Sequence, residues 1–433
     1  MKPTLPQVPA LAAAAVLLGA AFVALRRLQP LDEHIPEFVA AALAASGVYF
    51  IVVHLAFSWT RTSPAALAVA LAAAVAFRAL LLPLPPTLSD DIHRYVWDGR
   101  VQLAGHNPYL VTPADPALLA HRPPEFERIP GREVPTAYGP LTELVFRAAA
   151  AADGWFAFKL VSVFFDLATI LVLLALLHSR GEPLVRVVAY AWCPPVVVEF
   201  AGSGHNDSLP LFGLLLALLL LLRGQKSTSG AALAAATLAK WFPVIAAPFF
   251  WRRTGWRGAV VFAAVALALV SPYAGAGWGV FSGARAYAEH WRNNASLFEL
   301  VAWASGSDAV AGVVAVLAVA GLAVFLYRTE AEPLRASFIL LAAVLLVSPS
   351  VFPWYVVWLV PFLCFYPNPA VLLWSATVLV SYHVVMDYRA LGLWRYSPAL
   401  AWLEYVPVYA LLAGGAMRRT LIGAAGRGPM RAP

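Results

Sequence analysis

Charge is scarce in this chain. Of 433 residues only 12% are Asp, Glu, Lys or Arg, while 61% are hydrophobic and mean hydropathy is +0.74. Soluble domains carry roughly a quarter charged residues, so a soluble globular fold is excluded for the bulk of the chain. Cysteine is nearly absent. Cys193 and Cys364 both lie in apolar stretches and read as buried thiols, and they supply neither a disulfide framework nor a metal site. No Rossmann or P-loop glycine motif is present. Basic tracts with interleaved aromatics are missing too, so the net charge of +7 does not point to nucleic acid. In membrane proteins Lys and Arg gather on the cytoplasmic face instead. No internal repeat of the kind common in transporters is visible.

What the chain has in quantity is apolar runs of about twenty residues. Barrel strands alternate apolar and polar residues, so continuous runs exclude a barrel and predict an all-α integral membrane protein. The expected spans are 8–25, 38–59, 65–85, 154–178, 184–200, 209–222, 258–273, 308–327, 335–348, 353–366, 370–386 and 400–416, about twelve in a single domain over 1–433. The first run reads as a retained helix rather than a signal peptide, because it is long and Arg26-Arg27 follow it. Segment 230–251 does not fit as a simple crossing, since basic clusters flank it on both sides and Pro243 interrupts it. It is expected as a re-entrant pair of half-helices, with a kinked single helix as the alternative. Both termini then face the cytoplasm. The arginine-rich tail (Arg418, Arg419, Arg427, Arg431) agrees, and Arg26-Arg27 is the misfit. Two large extracytoplasmic loops result, 86–153 and 274–307. They hold, with smaller loops on the same side, nearly all the acidic, aromatic and histidine-bearing loop sequence, so the chemistry is expected there.

The loop 86–153 opens Ser89-Asp90-Asp91-Ile92-His93-Arg94-Tyr95. Residues 89–104 read as an amphipathic helix whose apolar side can lie on the membrane surface. One of the two carboxylates can serve as a general base there, or Ser89 or Asp90 can simply cap the helix. Gly105-His106-Asn107-Pro108-Tyr109 is a good helix stop. Tyr138 stands between turn formers, either aimed into a cleft or in an ordinary loop. In Glu199-Phe200-Ala201-Gly202-Ser203-Gly204-His205-Asn206-Asp207-Ser208, Asn206 and Asp207 can cap the next helix. His205 is not needed for the cap and can donate to a phosphate or a sugar hydroxyl. Neither cluster has a spacing that demands a metal. Trp354-Tyr355 can be an interfacial belt or a sugar-stacking surface. His290-Trp291-Arg292 places cations beside aromatics, suited to an anionic lipid head. Inside the spans, Arg78 and Lys159 are expected to snorkel, Asp166 to satisfy a buried donor, and Lys240 to reach a lipid phosphate or pair with Asp166.

Ser89 to Gly99 with Gly105 to Tyr109, then Tyr138-Gly139-Pro140-Leu141, Gly204 to Leu209, Lys240 to Pro243 and Phe352 to Tyr355 follow in that order. The ordered set, over about 90–360, resembles the GT-C superfold of integral-membrane glycosyltransferases. It is most similar to bacterial polyprenyl-phosphate-mannose-dependent mannosyltransferases, of the α-1,6-mannosyltransferase and family-87 type. The resemblance implies inverting transfer of a hexose, mannose by analogy, from a polyprenyl-phosphate donor to a lipid-linked or cell-envelope glycan at the outer face of the cell membrane. It assigns the base to Asp91 or Asp90, with Asp91 preferred. Donor-phosphate contacts are expected from Arg94, His205, Lys240 and Arg292. Sugar and acceptor contacts are expected from Asn107, Tyr109, Tyr138, Asn206, Asp207, Trp354 and Tyr355. No cofactor is required, and Mg or Mn is compatible but not implied. The extra N-terminal helices depart from the family pattern. The competing class is a transporter or flippase for polyprenyl-linked sugars, which would depend on Asp166 and Lys240 at mid-membrane.

Overall fold

The computed structural model describes residues 5–425, with side chains to residue 415. Among these residues the chain is helical, with an isolated bridge between Asn293 and Ser350 and no strand. Helices α1 (Gln7–Arg27), α2 (Ile35–Ser58) and α3 (Pro64–Leu81) form an N-terminal bundle in which α1 packs on both others. Ser63 starts α3 by accepting the Ala66 N–H, with Pro64 in the first turn, a cap that contributes about 1 kcal/mol.

Helices α4 (Asp91–Leu103) and α5 (Pro140–Ala149) pack on each other within the long polar segment. The sequence suggests a surface-lying α4, but the helix is enclosed by protein, with His93, Arg94, Asp98 and Gln102 buried alongside Ile92 and Trp97. Internal pairing makes this tolerable. Arg94 donates to both Asp98 oxygens at 2.9 and 3.0 Å, and Gln102 donates to the Glu143 carboxylate at 2.8 Å.

Helix α6 (Phe156–Ser179) precedes a bent pair, α7 (Leu184–Ala191) and α8 (Pro194–Ser203), which meet at 64°. Pro194 and Pro195 lack the N–H that would continue the helix, so the turn falls there. Next come α9 (Ser208–Leu222), α10 (Lys226–Ala239) and α11 (Ala247–Val270). α10 stops at Lys240 and the chain turns back through Phe242–Ala246. The backbone of Gly230 lies so close to Gly258 that a Cβ on Gly230 would sit 2.4 Å from the Gly258 carbonyl oxygen. The two ends of this segment are therefore together and Lys240 is at its tip, a hairpin rather than one kinked helix. The C-terminal part holds α12 (Ser282–His290), α13 (Leu297–Ser305), α14 (Asp308–Arg328), α15 (Pro333–Leu346), α16 (Pro353–Cys364), α17 (Pro369–Leu391) and α18 (Pro398–Ala425).

Among the described residues, seven helices are long and apolar enough to cross a membrane, or eight if the bent pair counts as one span. The sequence suggests about twelve. The difference lies in α9, α15 and α16, which are apolar but have 10–17 residues. At ~1.5 Å per residue such helices fall short of a ~30 Å hydrocarbon layer. The twelfth expected span, 400–416, falls in α18.

Two charges expected to snorkel are buried instead. Arg78 donates to Asp166 at 2.5 and 3.0 Å and to the Ala191 carbonyl at 2.7 Å, and the Tyr190 hydroxyl donates to the same carboxylate. Lys159 donates to the carbonyls of Leu81, the last residue of α3, and of Leu84 just beyond it. A cation at a helix C-terminus meets unsatisfied carbonyls, which offsets its desolvation. The Arg78–Asp166 pair ties α3 to α6. Arg78→Met should cost about 3–5 kcal/mol by leaving Asp166 buried and unpaired, and adding Asp166→Leu should restore most of it. Thermal melts of the purified variants in detergent check this.

Candidate active site

The chain leaving α3 enters a cavity of about 810 Å³ at the start of α4, and Asp90 and Asp91 both line it. Their environments differ. Asp90 accepts from Arg128 at 2.7 and 3.0 Å and from Arg389 at 2.8 Å on each oxygen. Arg389 is also paired with Asp32 at 3.0 Å. Asp90 is thus neutralised by two guanidinium groups and holds together the loop before α4, residue 128 and the end of α17. The Asp91 carboxylate accepts no hydrogen bond from the described residues, and 27% of its side chain is exposed. Burial pushes its carboxyl up to about 7. The Lys240 ammonium pulls the other way, and Asp207 and Asp90 add to the rise.

Lys240 reaches the cavity from the hairpin tip. Its ammonium donates to Asp207 at 2.6 Å, and Asp207 also accepts from the Trp358 indole at 2.7 Å. The same ammonium stands 4.8 Å from the Tyr355 ring and 5.5 Å from that of Trp358. An ion pair with aromatic faces on its flank fixes a lysine far better than solvent does. The tip itself is set by Gly139, where a Cβ would lie 2.2 Å from the Leu238 carbonyl oxygen. The alternative pairing of Lys240 with Asp166 is not formed.

Aromatic rings line much of the remaining wall. Tyr138, Tyr287, Trp291, Phe352, Trp354 and Tyr355 all face the cavity, and the Tyr287 and Tyr355 hydroxyls bond at 2.8 Å. Arg292 lines it too, held by Asp308 at 2.9 Å, and with Asn293 borders a second cavity of about 360 Å³.

Of the residues expected at the site, the structure gathers Asp90, Asp91, Arg94, Tyr138, Lys240, Arg292, Trp354 and Tyr355 around one cavity. Arg94 is held by Asp98 and by the Gly131 and Val134 carbonyls, so it braces the wall. Asp207 stands behind Lys240. His205 does not reach the cavity. It is buried under Trp354, with ring centroids 3.8 Å apart and planes 19° apart. Asn206 is buried as well, and its side-chain amide has no partner. Asn107 accepts the Tyr109 N–H and closes the turn after α4, as a helix stop requires. Tyr109 is buried, donating to the Tyr138 carbonyl at 2.8 Å. Neither Asn107 nor Tyr109 lines the cavity. The residues that sequence reasoning missed are Arg128, Arg389, Tyr287, Trp358 and Tyr382. Arg389 lies 299 residues from Asp90, so no local spacing announces it.

A family model described as alpha-(1->6)-mannopyranosyltransferase, N-terminal domain, of the MptA/B family, matches residues 6–254. No curated protein matches the chain. The matched stretch contains Asp90, Asp91, Asp207 and Lys240, whereas Arg292, Trp354, Tyr355 and Arg389 lie beyond it. It covers more than half of the chain, and the apolar helices place that chain in a membrane. The protein therefore belongs to the MptA/B family of alpha-(1->6)-mannopyranosyltransferases and is a membrane mannosyltransferase.

Proposed function

We propose that the chain transfers mannose, with inversion, from a polyprenyl-phosphate donor to a lipid-linked or cell-envelope glycan, at a site facing the extracytoplasmic side of the cell membrane. The observation that carries this reading is the free carboxylate of Asp91 in an aromatic-lined cavity that also presents the Lys240 ammonium. Asp91 removes the acceptor hydroxyl proton, and the oxygen attacks the anomeric carbon from the face opposite the phosphate. The bond from that carbon to the phosphate oxygen breaks, its electron pair stays on the oxygen, and polyprenyl phosphate departs. Lys240, with Arg292 further along the wall, meets the charge that develops there. Phosphate is already a good leaving group, so one carboxylate suffices; the paired carboxyls of a glycoside hydrolase are not required. We assign no cofactor to this reaction. Tyr138, Trp354 and Tyr355 provide faces on which sugar rings stack. The hairpin at Lys240 enters and leaves on the cytoplasmic side in this reading, as do both termini.

The transport reading depends on free charge at mid-membrane. Asp166 is taken by Arg78 and Tyr190, and Lys240 by Asp207, which favours the transferase.

Three outcomes test the proposal in membrane vesicles supplied with polyprenyl-phosphate-mannose and a glycan acceptor. Asp91→Asn should lower transfer by about 10²- to 10⁴-fold at unchanged protein level. Asp90→Asn should act differently, lowering folded yield, because it leaves Arg128 without a partner at this point and Arg389 with Asp32 alone. Full activity of Asp91→Asn would remove Asp91 from the chemistry. The pH profile follows from the raised carboxyl. Below about 7 Asp91 holds its proton and cannot act as a base, so kcat/KM should climb as pH rises through about 7 and then level off. A flat profile between pH 5.5 and 8.5 would contradict this assignment.

A further inference from the structure

His205 is built into place with more care than a packing residue needs. Gly204 before it has φ +77°, and a Cβ there would lie 2.7 Å from Lys159 Cγ. The His205 N–H donates to the Glu199 carbonyl at 2.9 Å, and its own carbonyl accepts from the Ser162 hydroxyl at 2.6 Å. Trp354 covers the ring face. Yet both ring nitrogens lack a hydrogen-bond partner. Nδ1 lies 3.8 Å from Asp91 Oδ2, and Nε2 lies 3.4 Å from Glu199 Oε2. A buried imidazole without partners at both nitrogens, set between two carboxyls, is a group waiting for a proton to move.

We propose that His205 is the positioning residue for Asp91 and its proton outlet: it takes from Asp91 the proton removed from the acceptor and passes its own Nε2 proton to Glu199. This rests on the transferase reading above. The step balances without any co-reactant. Nδ1 gains the proton of Asp91, Nε2 gives up its proton to Glu199, and the ring ends neutral as the other tautomer. Asp91 is again a carboxylate, and Glu199, which takes part in its ionised form, becomes a carboxylic acid. Gaps of 3.8 and 3.4 Å are longer than a working hydrogen bond, and such contacts commonly tighten when substrate is bound. Tyr382 completes the path. Its hydroxyl donates to both Glu199 oxygens at 2.9 and 3.0 Å, and the residue lines the cavity. Burial and the Lys240 charge hold the imidazole well below its usual range, so it is neutral and able to switch tautomers. The titratable and charged groups facing it are Asp91, Glu199 and Lys240, with Asp207 behind Lys240.

The test uses the full-length protein with polyprenyl-phosphate-mannose, comparing wild type, H205Q, E199Q and the double variant. Each single variant should lose about 10²-fold in kcat with acceptor KM within about twofold. The double variant should be no slower than the slower single one, since both interrupt one path. The variants' residual kcat should rise with imidazole buffer concentration at fixed pH and ionic strength, because buffer replaces the lost outlet, while wild type stays insensitive. Normal kcat in H205Q, losses that multiply in the double variant, or losses that buffer does not relieve would each overturn the inference and leave the base assignment to Asp91 standing. If H205Q does not fold, the kcat and buffer response of E199Q decide alone. A wild-type protein that transfers no mannose would instead overturn the transferase reading and this inference with it.

Discussion

Two adjacent carboxylates would repel each other in a site this enclosed unless one were neutralised. Arg128 and Arg389 do that for Asp90. The rest of the site depends on this asymmetry. With four guanidinium contacts on Asp90, the loop before α4 is pinned, and Asp91 is left facing the cavity with no donor of its own. A second ion pair, Lys240 with Asp207, places a positive charge on the cavity wall. One pair thus satisfies a charge fully and the other leaves one on the cavity wall. The difference lies in the number of donors, since Asp90 is saturated and Lys240 keeps room for a further acceptor.

The energetic logic inside the bundle is similar. Arg78, Asp166 and Tyr190 are buried, with Arg78 and Tyr190 both donating to the Asp166 carboxylate. Such a group adds little net stability compared with apolar side chains of equal volume, but it is costly to break and so fixes register between α3, α6 and α7. That register sets where α3 ends and therefore where Asp90 and Asp91 stand. Lys159 reinforces it by closing the α3 carbonyls.

Much of this was legible in the sequence. Apolar runs announced the helices, and the basic flanks of 230–251 with Pro243 announced a turn-back that the Gly230–Gly258 approach shows. The carboxylate pair, Lys240 and Trp354-Tyr355 stood out because polar or aromatic residues punctuate apolar sequence. What was not legible has a common physical cause, long-range pairing. The pairing of Asp90 with Arg389 and the placement of Glu199 beside Tyr382 come from contacts 299 and 183 residues apart. An amphipathic pattern looks the same whether the polar face of α4 meets water or Glu143 and the Gly131 and Val134 carbonyls. His205 was noticed as surplus to capping, but its burial beneath Trp354 depends on α16, which no local pattern reveals. Apolar composition alone does not reveal that α9, α15 and α16 are short or that the pair around Pro194 is bent.

The link between Asp90 and Arg389 has a bearing on assembly. The acidic pair is synthesised early and its counterion very late, with most of the polypeptide in between. Until the final quarter of the chain is inserted, Asp90 has Arg128 but lacks Arg389, which makes two of its four guanidinium contacts. The cavity around Asp90 and Asp91 therefore is not completed by the N-terminal half alone. The last helices latch a cavity most of whose lining groups precede them, and a chain interrupted before residue 389 would hold every proposed reacting group yet lack the clamp on Asp90.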